Sequence, residues 1–427
     1  MKEVKNNTLY IGNVSTKELA AQYGTPLYIY DQALIEQKMD DFKAHFVSSD
    51  FETNVVYASK AFLCTAMAKL VKKHGLYMDV VSGGELYVAA QAGFDMRHIV
   101  FHGNNKSVQE LEMAVRYGAG TIVIDNEAEA RELAALSFEQ KINVLLRINP
   151  GVEAHTHQFI VTAHVDSKFG ILKSDTETIR SIIDTIESNE ALSFQGFHAH
   201  IGSQIFDKNA FRAEIETMGS FIKEMIDKTG RSFPALDLGG GFAAVYTKED
   251  APIPIDEVCA LLIDQCSLIN EKYDLHLKRL MIEPGRSIVA EAGSTLYTVG
   301  FTKITPHKKY VFVDGGMSDN IRPALYQAAY DADLTNRMND KKTETVCIAG
   351  KCCESGDVLI EKTDLPCAVT GDQLIVYTTG AYGYSMASRY NMLCVPAVVF
   401  VKNGRSSLVV RRQSFEDLIE RDEGDIL

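Results

Sequence analysis

The chain has 427 residues, 46% of them hydrophobic, a length that exceeds one ordinary domain and suits two. Its formal net charge of -14 argues against nucleic acid as a partner, while leaving room for a local basic pocket. No apolar run approaches the roughly 18 residues of a membrane span, and the polar start Met1–Asn7 lacks the apolar segment of a signal peptide, so no membrane partner and a cytoplasmic location are expected.

The first thirty residues hold two strand-like runs, Leu9–Ile11 and Leu27–Tyr30. From residue 55 the strand signals become regular: Val55–Ser59, Tyr77–Val81, Ile99–His102, Thr121–Asp125, Val144–Asn149, Phe194–His200, Ala235–Leu238 and Arg279–Glu283. The first five start about 22 residues apart, with helix-like stretches Gly83–Ala92, Ser107–Tyr117 and Asn126–Leu136 between them. Eight βα units predict an α/β fold, a closed (β/α)8 TIM-like barrel; an open doubly wound sheet is the alternative, disfavoured by the missing GxGxxG after the first strand. After about residue 290, short β-branched runs such as Tyr297–Phe301, Tyr310–Asp314, Thr345–Ala349, Gln373–Thr378 and Ala397–Val401 predict a mainly β C-terminal domain. The N-terminal segment is expected to join it, giving residues 1–31 and 287–427 to the β domain and 32–286 to the barrel.

Barrel chemistry sits at the C-terminal ends of the strands. Lys60, Glu85, His102, Asp125, Arg147, His200, Gly239–Gly241 and Glu283 all fall there. Lys60 closes the run Val55–Ser59. A partly desolvated amine at that place suits a Schiff base with a carbonyl compound or pyridoxal phosphate; otherwise it is a strand-end lysine reaching to water. Gly239-Gly240-Gly241 lets backbone approach closely and turn N–H groups into one concavity, as a phosphate requires. In Glu283-Pro284-Gly285-Arg286-Ser287 the carboxylate can keep a pyridine nitrogen protonated, and Arg286 can grip a carboxylate or phosphate as a fork.

His198 and His200 alternate and are expected on one strand face. A metal site would need a third ligand such as His155 or His157. A stacking imidazole, with Ser203 donating to a phosphate, needs fewer assumptions. Cys352-Cys353-Glu354-Ser355-Gly356-Asp357 reads as a polar turn whose thiol, kept protonated by acidic neighbours, could donate a proton. Arg322-Pro323-Ala324-Leu325-Tyr326 and Gly380–Met386 are weak signals singly. The cysteines, Cys64, Cys259, Cys266, Cys347, Cys352, Cys353, Cys367 and Cys394, form no CxxC pair and no zinc spacing, so reduced thiols and no bound metal are expected.

In this order the motifs resemble the fold-type III pyridoxal-phosphate decarboxylases, the ornithine/diaminopimelate/arginine decarboxylase group, over nearly the whole chain. The likeness also takes in Asn149–His157, Asp166–Gly170 and Gly380–Asn391, and is strongest to the diaminopimelate-decarboxylating members. It implies a pyridoxal 5'-phosphate enzyme that converts meso-2,6-diaminopimelate to L-lysine and carbon dioxide, the last step of lysine biosynthesis. Lys60 would form the Schiff base to the cofactor, His200 would stack on its ring and Glu283 would pair with its ring nitrogen. Ser203, Gly240, Gly241, Gly285 and Arg286 would hold the phosphate, with Tyr382 nearby. Arg286, Arg322, Tyr326 and Tyr382 would bind substrate carboxylate, Glu354 the distal ammonium, and Cys353 would protonate the carbanion. Cys353 and Glu354 would reach the partner subunit's site, which implies a homodimer.

Gln158, Val161 and Tyr330 depart from the commonest family spelling. Tyr330 stands where many members carry histidine, and none of the three is expected to touch an assigned role. A decarboxylase for ornithine, lysine, arginine or carboxynorspermidine would usually carry an aspartate-led pattern at the Glu354 turn. A racemase of this fold would have no use for the Cys353-Glu354 pair, and a non-catalytic homologue would have lost cofactor residues.

Overall fold

The computed structural model describes residues 2–152 and 166–424. The chain divides into two compact units: Lys38–Ala243 with Ala251–Ser287, and Met1–Gln37 with Ala244–Asp250 and Ile288–Leu427.

The first unit is the expected barrel. Its strands are β1 (Glu52–Ala58), β2 (Tyr77–Val80), β3 (Ile99–Phe101), β4 (Thr121–Ile124), β5 (Ile142–Asn149), β6 (Leu192–His198), β7 (Ala235–Asp237) and β8 (Arg279–Ile282). Each pairs in parallel with the next, and β8 pairs with β1, so the sheet closes. Apolar runs become strands here because both faces are covered. Val56, Val100, Val123, Leu145, Ala235 and Met281 pack together as buried core, each larger side chain contributing about 1.5–3 kcal/mol by burial. The helices start where side chains can cap them: Ser82 accepts from Glu85 N–H, Ser107 forms a capping box with Glu110, and Asn126 accepts from Glu129 N–H.

The second unit is a sheet whose main path runs Val358–Leu365, Glu344–Ala349, Lys309–Val313, Gly293–Ile304, Leu27–Asp31, Ala397–Lys402, Arg405–Val410. The N-terminal strand Leu27–Asp31 lies inside it, antiparallel to Gly293–Ile304 and parallel to Ala397–Lys402. Alternation explains the insertion: Leu27 and Ile29 join Leu296, Val399 and Val401 in one buried cluster with Leu9 and Ile11. The mainly β domain therefore takes in the N-terminal segment, as expected. The helices Thr16–Tyr23 and Gln32–His45 were not foreseen. Among the described residues no helix is long and apolar enough to cross a membrane.

One buried acid belongs to no site. Glu214, on the helix Lys208–Thr229, is fully buried, and neither carboxyl oxygen has a hydrogen-bond partner. Burial pushes its pKa well above the carboxylate range. A raised carboxyl binds a proton on folding, so its contribution to stability is lost as pH rises from the unfolded value toward the folded one. Glu214→Met is expected to stabilise the protein by about 1–3 kcal/mol, and more at about pH 8 than at about pH 5. Thermal midpoints at the two pH values test this, and an unchanged or lower midpoint at the higher pH would refute it.

Candidate active site

At the barrel's C-terminal end, the loops after β6, β7 and β8 are stitched by backbone. Ala199 N–H donates to Asp237 O at 2.9 Å, Glu283 N–H to Gly239 O at 2.7 Å and Ile205 N–H to Gly241 O at 3.0 Å. Glycine is required by that closeness. A Cβ on Gly239, whose φ is +62°, would lie 2.6 Å from Ala199 O, and one on Gly240 2.5 Å from Glu283 O. Beside this cradle, Ser203 Oγ accepts from Nε and Nη2 of the buried Arg286 at 3.0 and 2.9 Å. A fixed guanidinium, a hydroxyl and side-chain-free backbone make a donor set fit for a phosphate. Gly285 packs against β1, where its Cβ would lie 2.9 Å from Ala58 O, and Ala58 N–H donates to Pro284 O at 3.2 Å. The turns that carry Lys60 and Glu283 are thus held side by side.

Lys60 lies in the 3-10 turn Ser59–Ala61, at the end of β1 as expected, but it is exposed. That exposure is what a strand-end lysine reaching to water would show. Its charge lowers the carboxyls of Asp79 and Glu85 against the upward pull of burial. His200 lies beyond the strand, because β6 ends at His198, so the two histidines do not share a strand face as predicted. Gly240 N–H donates to His200 Nδ1 at 3.2 Å, which leaves Nε2 carrying the ring proton. Burial, then the charges of Lys60 and Arg147, push His200 well below its usual pKa, giving a neutral flat ring.

Glu283 is 6% exposed, with Oε1 2.6 Å from His102 Nε2 and Oε2 3.4 Å from His198 Nε2. Burial alone would raise its pKa, but the two imidazoles, His102 foremost, hold it well below the usual carboxylate range. His198, buried, is pushed down to about 3. Asp237 is raised well above its usual value by burial and by the Glu283 charge, and Asp79 is pushed up to about 7 by burial. One buried carboxylate keeps its charge while its acidic neighbours tend to keep their protons. His102, His198 and Glu283 offer ligand atoms within 4.8 Å of one another, so this trio, rather than His198 with His200, has metal-ligand spacing. His155 and His157, like Gln158 and Val161, lie outside the described residues.

The sheet unit carries the other predicted residues. Arg322 opens the short helix Arg322–Tyr326 and is 7% exposed. Its guanidinium carbon lies 5.4 Å from the Tyr326 ring centre, 5.5 Å from that of Tyr382 and 5.6 Å from that of Tyr246. Tyr382 takes φ +61°, uncommon for a bulky residue and typical of functional positions. Arg322 Nε donates to Tyr330 OH at 2.9 Å, so the expectation that Tyr330 touches no assigned role is corrected.

Cys353 and Glu354 are exposed, in a turn between the strands Glu344–Ala349 and Val358–Leu365. The turn is anchored by the buried Asp357, which accepts from Cys352 N–H and Met317 N–H, both at 2.7 Å. Cys353 N–H donates to Asn391 Oδ1 at 2.7 Å. The neighbouring thiol, Cys352, is pushed up by burial and by Asp357. Sequence reasoning missed Asp79 and Asp237, each of which gave a signal, a charge inside the strand-like runs Tyr77–Val81 and Ala235–Leu238.

A mouth of this kind is built for a phosphate-bearing heterocyclic aldehyde, and the class it defines is the barrel-type pyridoxal-phosphate enzymes. Residues 32–290 match the family described as "Pyridoxal-dependent decarboxylase, pyridoxal binding domain". The chain is 48% identical to a diaminopimelate decarboxylase of Bacillus subtilis (strain 168), over 99% of this chain and 96% of that one. It is 43% identical to a diaminopimelate decarboxylase of Staphylococcus aureus (strain COL), over 99% of each. Among solved structures, a diaminopimelate decarboxylase from M. jannaschii in co-complex with L-lysine superposes with a TM-score of 0.91 at 32% identity, covering 99% of this chain and 97% of that one. The chain therefore belongs to the pyridoxal-dependent decarboxylase family, carboxy-lyases that use pyridoxal phosphate.

Proposed function

We propose that the protein decarboxylates meso-2,6-diaminopimelate to L-lysine. The observation that carries the chemistry is Glu283, a buried carboxylate held ionised between two imidazoles at the mouth that also bears Lys60. The substrate is supported by the relatives, which are named diaminopimelate decarboxylases, and by the L-lysine bound in the M. jannaschii structure.

Bound pyridoxal phosphate supplies an electron sink for the carbanion left when carbon dioxide departs. Lys60 Nζ would be the amine that holds the cofactor. Ser203, Arg286 and the glycine backbone at Gly240, Gly241 and Gly285 would hold the phosphate, and the neutral ring of His200 would pack against the cofactor. Glu283 would keep a proton on the ring nitrogen. Arg286, Arg322, Tyr326 and Tyr382 orient substrate carboxylate, and Glu354 binds the distal ammonium. Cys353 Sγ delivers its proton to the carbon that lost carbon dioxide. Cys353 and Glu354 serve the partner subunit's site in a homodimer. All eight cysteines are free thiols, which supports a cytoplasmic place of work.

The test is to incubate the protein with pyridoxal phosphate and meso-diaminopimelate, with L-lysine, L-ornithine and L-arginine in parallel, and to measure carbon dioxide and lysine. Lysine is expected from diaminopimelate alone. Carbon dioxide released only from the other amino acids would sink the substrate assignment.

A further inference from the structure

Arg322 is 7% exposed, yet it pairs with no carboxylate among the described residues. A guanidinium in that state is expensive unless an anion completes it. Tyrosines surround it: the Tyr246, Tyr326 and Tyr382 rings lie 5.4–5.6 Å from its centre, close enough for cation–π attraction. Its Nε donates to Tyr330 OH at 2.9 Å. Tyr330 is itself buried, at 4% exposure, and packs edge-on against Tyr246 with ring centres 5.5 Å apart.

A guanidinium can meet a carboxylate by either of two edges. One edge is formed by Nε with one terminal nitrogen, the other by the two terminal nitrogens. Tyr330 occupies Nε and so closes the first edge. Among the described residues, no hydrogen bond occupies the terminal pair, which keeps its donors for a ligand.

We propose that Tyr330 is a positioning residue that sets substrate specificity: by holding Arg322 Nε it forces the substrate carboxylate to dock end-on, across the two terminal nitrogens. The inference rests on the reading of Arg322 as a carboxylate-binding group. Tyr330 acts through Arg322 and touches no reacting atom. Its loss therefore weakens substrate binding and leaves chemistry nearly intact.

Three variants test it: Tyr330→Phe, Tyr330→His and Arg322→Gln. KM and kcat for meso-diaminopimelate are measured, together with thermal midpoint and the visible absorbance of bound cofactor. Tyr330→Phe loses the acceptor and is expected to raise KM about tenfold with kcat within about twofold, absorbance and midpoint unchanged. Tyr330→His offers an imidazole nitrogen to the same N–H and is expected to bring KM back to within about threefold of the parent. Arg322→Gln is expected to raise KM by about a hundredfold. If Arg322→Gln raises KM and Tyr330→Phe does not, the positioning role falls and the carboxylate reading stands. If Arg322→Gln leaves KM unchanged, the carboxylate reading itself fails. If Tyr330→Phe lowers the midpoint, changes KM and kcat together and is not rescued by histidine, Tyr330 is merely structural and the inference is overturned.

Discussion

Lys60→Ala is expected to lower decarboxylation by roughly 10³-fold or more, the scale on which a positioned acid–base and nucleophilic group acts. The residue stands exposed on the turn after β1, and its charge is felt by Asp79, Glu85 and His200. Among the described residues, the bonds given for the glycine cradle and the Ser203–Arg286 pair do not run through the Lys60 amine. The variant should therefore still bind pyridoxal phosphate, without the covalent link. Two measurements separate these effects. Borohydride treatment of the parent protein should fix cofactor mass on the peptide containing Lys60, and the variant should show none. Equilibrium dialysis should show cofactor still bound to the variant at raised concentration. A small primary amine in the buffer is expected to restore part of the activity, because the missing group is an amine on an exposed residue. Full activity in Lys60→Ala, or cofactor mass fixed on another lysine, would remove Lys60 from the centre of the mechanism.

Much of this was legible along the chain, and the reason is geometric. In a parallel barrel, strand ends converge on one mouth, so a residue's place at the end of an apolar run already places it in the site. Lys60 and Glu283 could be read that way, and the triple glycine declared a close approach. The N-terminal strand Leu27–Asp31 was legible as a strand because it is a short aliphatic and aromatic run, buried along its whole length. What stayed hidden depends on closure. His102 and His198 meet Glu283 only because β3, β6 and β8 contribute to one interior, and no local period reports which distant side chains face each other there. The end of β6 at His198 was likewise invisible: histidines and apolar residues go on alternating through Ile201, although the strand assignment stops at His198. Tyr330 looked like a neutral departure in spelling. Its role follows from a contact across eight residues, between a short helix and the segment after it. The exposure of Lys60 was also beyond reach, since strand-end residues in a barrel face either packed interior or open mouth and the sequence alone does not tell which.

Cys353→Ala is expected to lower turnover by roughly a hundredfold or more, the loss that follows removal of a general acid. The turn that carries it is fixed by Asp357 and by the Asn391 bond, so truncation at Sγ should leave the loop in place and KM little changed. The sharper consequence concerns where the residue acts. If Cys353 serves the partner subunit, Lys60 and Cys353 of any one site come from different chains. Mixing Lys60→Ala protein with Cys353→Ala protein, and letting subunits exchange, then creates mixed dimers. In each of them one site has lost both groups and the other has kept both. With random exchange about half the dimers are mixed, and activity should recover to about a quarter of the parent value. If both groups serve a site within one chain, every site in the mixture carries a defect and no activity returns. The recovery should also require time and dissociation, so cross-linking each variant before mixing should abolish it. Recovery from cross-linked variants would mean that the activity came from something other than shared sites.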